Sequence, residues 1–288
     1  MIRTLYPRAA ASAALAFAGV AAPAHGALLH SNGPFVTNPT GGTGSISGLP
    51  ISNADVFNVP GNTFNFSTTG VNATVAIGTA VAENFTVPTG GWDLDSLTVY
   101  AFQTSQTAPT VTQVHVNLWT ATPFSAGSPG APPVLPQPVL AADLVLNAGT
   151  GTFVAHRQSA TSTSTVRPVF AYTVPLDGFP ALGVLAPGEY WIQWSFVGAS
   201  SPSANVFTPL VSPRTSVTGH NARLLNSIDG SSAGPRIWFE GREGFVDGVT
   251  EGRAYELPFE LNGSAVPAPG AAALSLLGAG LATRRRRC

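Results

Sequence analysis

Two aspartates flank one leucine in Trp92-Asp93-Leu94-Asp95. In an extended chain alternate side chains share a face, so Asp93 and Asp95 would project together, about 7 Å apart. Paired carboxylates at that spacing could begin a calcium site or serve as a glycoside-hydrolysing pair. Two solvated carboxylates at the start of a strand would look the same, so the pair is a weak metal candidate. A second constellation is aromatic and polar. His115, Asn117 and Trp119 alternate along VTQVHVNLWT, and Trp191 and Gln193 alternate along GEYWIQWSF. Indole faces beside amides hold sugars, with the apolar face of a ring on the indole and its hydroxyls on the amides. These five residues are the glycan-binding candidates. The competing account is that both tryptophans pack under loops.

Motifs that carry catalysis are missing. The sequence has no Gly-x-Ser-x-Gly, no His-Glu-x-x-His and no Asp-x-Asp-x-Asp-Gly, so none of the corresponding nucleophile, zinc or calcium devices is nominated. His115, His156 and His220 lie too far apart for metal-ligand spacing. Glu240, Glu243, Asp247 and Glu251 read as loop charge around Phe245. The one cysteine, Cys288, is the last residue, which rules out an intramolecular disulfide. No catalytic residue, cofactor or enzyme activity is expected.

The groups just named must be carried on strands. Val114, Val116 and Leu118 alternate with the polar side of their stretch, as Tyr190, Ile192, Trp194 and Phe196 do with theirs, the period of half-buried antiparallel strands. Further strands are legible at AVAENFTVP, LDSLTVYAF, LAADLVLN, RPVFAYTVP, RIWFEG and AYELPFELNG. Clusters of Pro, Gly, Ser and Thr separate them. Between Leu94 and Leu97 the apolar phase slips by one residue, which predicts a β-bulge near Asp95-Ser96. The fold class expected is all-β: an antiparallel two-layer β-sandwich, jelly-roll-like, with Pro/Gly-rich loops. The longest such loop is TATPFSAGSPGAPPVLPQPV, from Thr120 to Val139.

Charge narrows the partners. The chain has no lysine, and six of its 13 basic residues (Arg3, Arg8 and Arg284 to Arg287) sit at its two ends, whereas all 14 acidic residues lie between Asp55 and Glu260. The body is therefore acidic, and a nucleic-acid partner, which needs a basic surface, is excluded.

The ends read as addresses. Arg3 and Arg8 precede an Ala-rich apolar run and then Ala24-His25-Gly26, the layout of a secretory signal peptide cut after Gly26. At the other end, Val266-Pro267-Ala268-Pro269 precedes the apolar run 270–282 and then Arg284, Arg285, Arg286 and Arg287. As a helix that run spans on the order of 20 Å. Counted from Val266 to Thr283 it approaches membrane-spanning length. By the positive-inside rule the arginines would stay cytoplasmic while the body is outside.

This order of proline motif, apolar segment and arginine cluster resembles the PEP-CTERM sorting signal of exported bacterial proteins. The likeness covers Val266 to Cys288, with Ala268 where the family carries Glu and a terminal Cys288 that the pattern lacks. The resemblance implies transient anchoring in the cytoplasmic membrane by a short C-terminal hydrophobic helix. It also implies cleavage near the proline motif by exosortase, a membrane-embedded cysteine protease or transpeptidase, followed by release to the cell surface or extracellular matrix. The expected organisation is a signal peptide at 1–26, a flexible segment at 27–50, the β-sandwich at 51–263 and the sorting signal at 264–288. The expected function is that of a structural surface or biofilm-matrix protein, with signal peptidase and exosortase as processing partners. The alternative is a carbohydrate-binding module for exopolysaccharide.

Overall fold

A computed structural model of the chain describes residues 26–41, 48–54, 56–59, 62–65, 69–120, 140–145, 150–158, 164–176, 183–199, 205–211, 222–227, 236–240 and 255–266. The expected signal peptide up to His25, the Pro-rich loop 121–139 and the tail 267–288 lie outside those residues.

The regular structure of the described chain is nearly all strand. The first six strands are β1 (Ala27–Ser31), β2 (Ile51–Asn53), β3 (Val56–Val59), β4 (Asn62–Asn65), β5 (Gly70–Asn72) and β6 (Ala80–Val87). Next come β7 (Trp92–Ala101), β8 (Gln113–Trp119), β9 (Leu140–Val145), β10 (Thr152–Gln158), β11 (Pro168–Pro175) and β12 (Val184–Leu185). The last five are β13 (Gly188–Val197), β14 (Phe207–Pro209), β15 (Arg223–Ser227), β16 (Arg236–Glu240) and β17 (Phe259–Ala265). A single 3-10 turn, Val75–Ile77, closed by Gly78 at φ 66°, is the only helical turn among the described residues.

Two large sheets organise the strands. One has seven strands in the order β1-β17-β7-β11-β10-β2, with β12 pairing on β7; the other has six in the order β16-β15-β6-β13-β8-β9. Pairing is antiparallel except that β2 lies parallel to β10. Two small ribbons, β14 with β5 and β3 with β4, complete the set.

Strand alternation selects what is buried between these elements. Val114, Val116 and Leu118 of β8 and Tyr190, Ile192, Trp194 and Phe196 of β13 belong to one apolar cluster with Leu94, Leu97 and Val99 of β7, Tyr172 and Val174 of β11, and Phe259 and Leu261 of β17. The cluster thus draws on both large sheets. Ring contacts tie them together: Trp194 to Phe259 at 5.8 Å and Tyr172 to Phe196 at 6.4 Å between centroids. Each side chain fully withdrawn from water in this way contributes about 1.5–3 kcal/mol before the cost of ordering it.

The expected bulge is present. Asn262 of β17 pairs with Ser96, but the next residue, Gly263, pairs with Leu94, so Asp95 has no opposite number. One extra residue lets Leu94 and Leu97 both reach the core, which strict alternation would forbid.

The flexible segment expected at 27–50 requires correction. Its first five residues form β1, paired with β17 from Ala27 opposite Gly263 to Ser31 opposite Glu260. Further on, Phe35 is buried and Asn38 bridges Ile51. The polar, Gly-rich stretch that follows masked a strand whose own side chains are only partly covered, the usual lot of a sheet edge.

Candidate functional site

The five glycan candidates come together. In the ladder between β13 and β8, Trp191 stands opposite Trp119, Gln193 opposite Asn117, and Ser195 opposite His115. All therefore share the face of the six-stranded sheet turned away from the main cluster. The face continues across β6 and β15, where Asn84 lies opposite Trp191, Ala82 opposite Gln193 and Arg223, and Ala80 opposite Leu225. Trp238 of β16 pairs with Leu225.

This face is a second apolar cluster rather than an open aromatic plate. Ala80, Ala82, Trp119, Trp191 and Trp238 pack together, the two alanines leaving room for the indoles. Trp191 is 3 % exposed and Trp119 5 %. The Trp191 indole N–H donates to Glu189 Oε1 at 3.1 Å, and the Arg223 guanidinium stands 5.5 Å from its ring centroid, within cation–π range. His115, Asn117 and Gln193 are half-buried. The half-buried polar groups of this face, His115, Asn117, Gln193 and Arg223, can hydrogen-bond a ligand, whereas the indole faces are already in contact with protein.

The aspartate pair is built around the bulge. Asp93 is exposed and Asp95 half-buried. The Asp95 carboxylate lies against the chain at Gly26, where a β-carbon would stand 2.1 Å from Asp95 Oδ2. Among the described residues no group of three or more His, Cys, Asp or Glu side chains is arranged to hold a metal ion. Of the sorting motif only Val266 is described; its N–H donates to the Gly91 carbonyl at 2.9 Å. Pro267, Ala268, Pro269 and Arg284 to Arg287 lie outside the described residues.

A cleft that sequence reasoning missed opens on the seven-stranded sheet. The segment after β1 runs over the outer face of β7 and β17 and borders an open cleft of about 480 Å³, lined by Ser31, Gly33, Pro34, Phe35, Val36, Tyr100, Val154 and Glu260. The Tyr100 hydroxyl donates to Glu260 Oε1 at 2.9 Å, and the Phe35 and Tyr100 rings meet at 4.7 Å. Burial, the negative charge of Glu260 and that hydrogen bond all push the Tyr100 pKa above its ordinary value, so the phenol remains a donor.

Phe35 is held from behind. Ser52 Oγ donates to the Phe35 carbonyl, and Arg157 Nη1 donates to Ser52 Oγ at 2.7 Å. Arg157, 1 % exposed, also donates to the carbonyls of Thr69 at 2.7 Å and Asn53 at 3.2 Å. The lining residues are scattered from position 31 to 260, and Glu260 is simply the polar alternate between Phe259 and Leu261. No local pattern marks the cleft.

One further ionisable group is fully buried. Glu83 on β6 takes the Leu257 N–H on Oε1 at 2.7 Å, while its Oε2 has no hydrogen-bond partner. Desolvation first, then the charge of Glu256, raise its pKa well above the ordinary carboxylate range, against the opposing pull of the Leu257 and Asn84 N–H groups and of Arg223.

No known protein-family model matches the chain, and no curated protein matches it.

Proposed function

We propose that this is an exported, non-enzymatic protein of the cell surface or extracellular matrix. In this reading its body is a two-layer, jelly-roll-like β-sandwich freed from targeting segments at both ends, by signal peptidase after Gly26 and by exosortase near Pro267-Ala268-Pro269. Until the second cut a short hydrophobic helix closed by Arg284 to Arg287 holds it in the cytoplasmic membrane.

The observation that supports this reading is where the strands begin and end. β1 opens at Ala27, the residue after the expected first cut, and β17 closes at Ala265, two residues before Pro267. Neither cut removes a strand among the described residues. The two strands are also partners, Ala27 lying opposite Gly263, so both cut points lie at the same end of one ladder.

Intact-mass analysis of the secreted protein tests it. The expected species begins at Ala27 and ends between Pro267 and Gly270. A secreted chain beginning at Met1 or ending at Cys288 would remove the basis of the proposal.

A second reading, a module that binds exopolysaccharide, is favoured by the register that sets Gln193 opposite Asn117 with His115 on the same face. Binding to a panel of glycans, lost in Asn117→Ala and Gln193→Ala, would support it. Unchanged binding in both variants would place the contact elsewhere.

A further inference from the structure

The cleft beneath the segment following β1 has a chemical bias that neither reading above uses. Its volume of about 480 Å³ lies in the range of small-molecule sites. Among the described residues that line it, Phe35, Tyr100, Val36 and Val154 make the walls apolar, Glu260 is the one charged group, and neither Arg nor His is present. Tyr100 occupies one oxygen of that carboxylate. The chain offers no lysine anywhere to neutralise it.

We propose that this cleft binds an organic ammonium ion with an apolar body, the ammonium meeting Glu260 and the body resting between Phe35, Tyr100 and Val154. Charge complementarity argues for a cation. An anion would face a carboxylate with no cation among the described lining residues, and a neutral alcohol could donate a hydrogen bond to its free oxygen but would supply no countercharge. A bare metal ion would find a single carboxylate, too few ligands for calcium. The negative face of the Phe35 or Tyr100 ring adds attraction for an organic cation placed over it.

The cleft is also preorganised. The bonds from Arg157 to Ser52 and from Ser52 to the Phe35 carbonyl fix the wall that the segment contributes, and Tyr100 fixes the rotamer of Glu260. Little side-chain ordering remains to be done on binding. The same chemistry is presented by an amino-sugar unit of a deacetylated glycan and by a free alkylamine. The inference rests on the cleft alone and does not depend on export or tail processing.

Calorimetric titration of the purified full chain with glucosamine, a glucosamine oligomer, hexylamine and the neutral counterparts N-acetylglucosamine and hexanol tests the proposal at low and moderate salt. The amines should bind at least tenfold more tightly than their neutral counterparts, and the difference should shrink as salt rises. Preference for the oligomer over hexylamine would identify a glycan as the source, and the reverse a free amine; either supports the site. Glu260→Gln, whose amide oxygen can still accept from Tyr100, should keep the near-ultraviolet circular dichroism of the wild type and lose the preference for amines. Tyr100→Phe, which frees the carboxylate, should retain it. Equal binding of charged and neutral ligands, an unchanged preference in Glu260→Gln, or no binding of any amine would overturn the proposal.

Discussion

The carbonyl oxygen of Asp93 lies so close to Gly263 that a β-carbon on the glycine would stand 2.1 Å from it. The contact is backbone to backbone, at the place where the extra residue Asp95 bends β7 against β17. A methyl group there cannot be accommodated by a rotamer change. Gly263→Ala should therefore lower stability by about 3 kcal/mol, the upper range for overpacking, as read from urea midpoints. Gly183→Ala is the comparison: its φ is +47° with nothing within 4 Å of the added carbon, so only the left-handed backbone penalty applies, about 1 kcal/mol. Equal losses would mean that the bulge is not held in this geometry.

Glu83 makes stability depend on pH in a definite direction. Its folded-state pKa is raised, so between the unfolded value, about 4.3, and the folded one the native state holds a proton that the unfolded state has lost. Stability is then highest below the unfolded pKa and falls as pH rises towards the folded one, by up to about 1.4 kcal/mol per pH unit. Glu83→Gln removes that proton equilibrium. The unfolding free energy of the wild type minus that of the variant, measured across this window, should fall with rising pH; a flat difference would show Glu83 to be ionised in the fold.

The tryptophans separate packing from hydrogen bonding. Trp194 donates its indole N–H to Thr208 Oγ1 at 3.1 Å, whereas the buried Trp119 N–H has no hydrogen-bond partner. Replacement by Phe shrinks both side chains alike but removes a hydrogen bond only at Trp194, where it also leaves a buried hydroxyl unsatisfied. Trp194→Phe should cost about 1 kcal/mol more than Trp119→Phe in chemical denaturation. The reverse order would contradict the pairing with Thr208.

The proposed tail is tested by charge. Near an anionic leaflet each arginine contributes about 1 kcal/mol of attraction, and moving four charges through hydrocarbon is costly. Replacing Arg284, Arg285, Arg286 and Arg287 by Ser should let unprocessed protein reach the medium with its tail attached. Pro267→Ala with Pro269→Ala should instead leave full-length protein in the membrane fraction. Fractionation followed by mass spectrometry distinguishes the two, and identical fates for both variants would count against a sorting signal.

What could be read from the sequence follows from where each signal is local. The alternations in β8 and β13 placed seven core residues and five glycan candidates on their correct faces and brought Asn117 and Gln193 into one candidate site before their register was known. The slipped phase between Leu94 and Leu97 located the bulge because both leucines must reach the core. β1 and β10 escaped notice: ALLHS is too short to show a period, and TFVAHRQ turns Arg157 and Gln158 inward, which reads as a polar stretch until their buried partners are known. Burial of Trp119 and Trp191 was one of the two readings the sequence offered, but what buries them, Ala80, Ala82 and Trp238, reaches that face through sheet order rather than sequence spacing. The cleft at Glu260 is the extreme case, an assembly of four distant segments with no periodic signature.

The order of the seven-stranded sheet also determines how the molecule answers to force. Any load brought to the chain at Val266 enters through β17, which is zipped to β1 on one side and to β7 on the other. Drawing β17 out lengthwise must shear two ladders at once, with Phe259 and Leu261 dragged from the core as they go. A load on the amino end at Ala27 meets β1, an edge strand among the described residues, which can peel from β17 one bond at a time. The domain is thus a better hook at its carboxyl end than at its amino end, and tethering it by the former leaves the weaker edge slack.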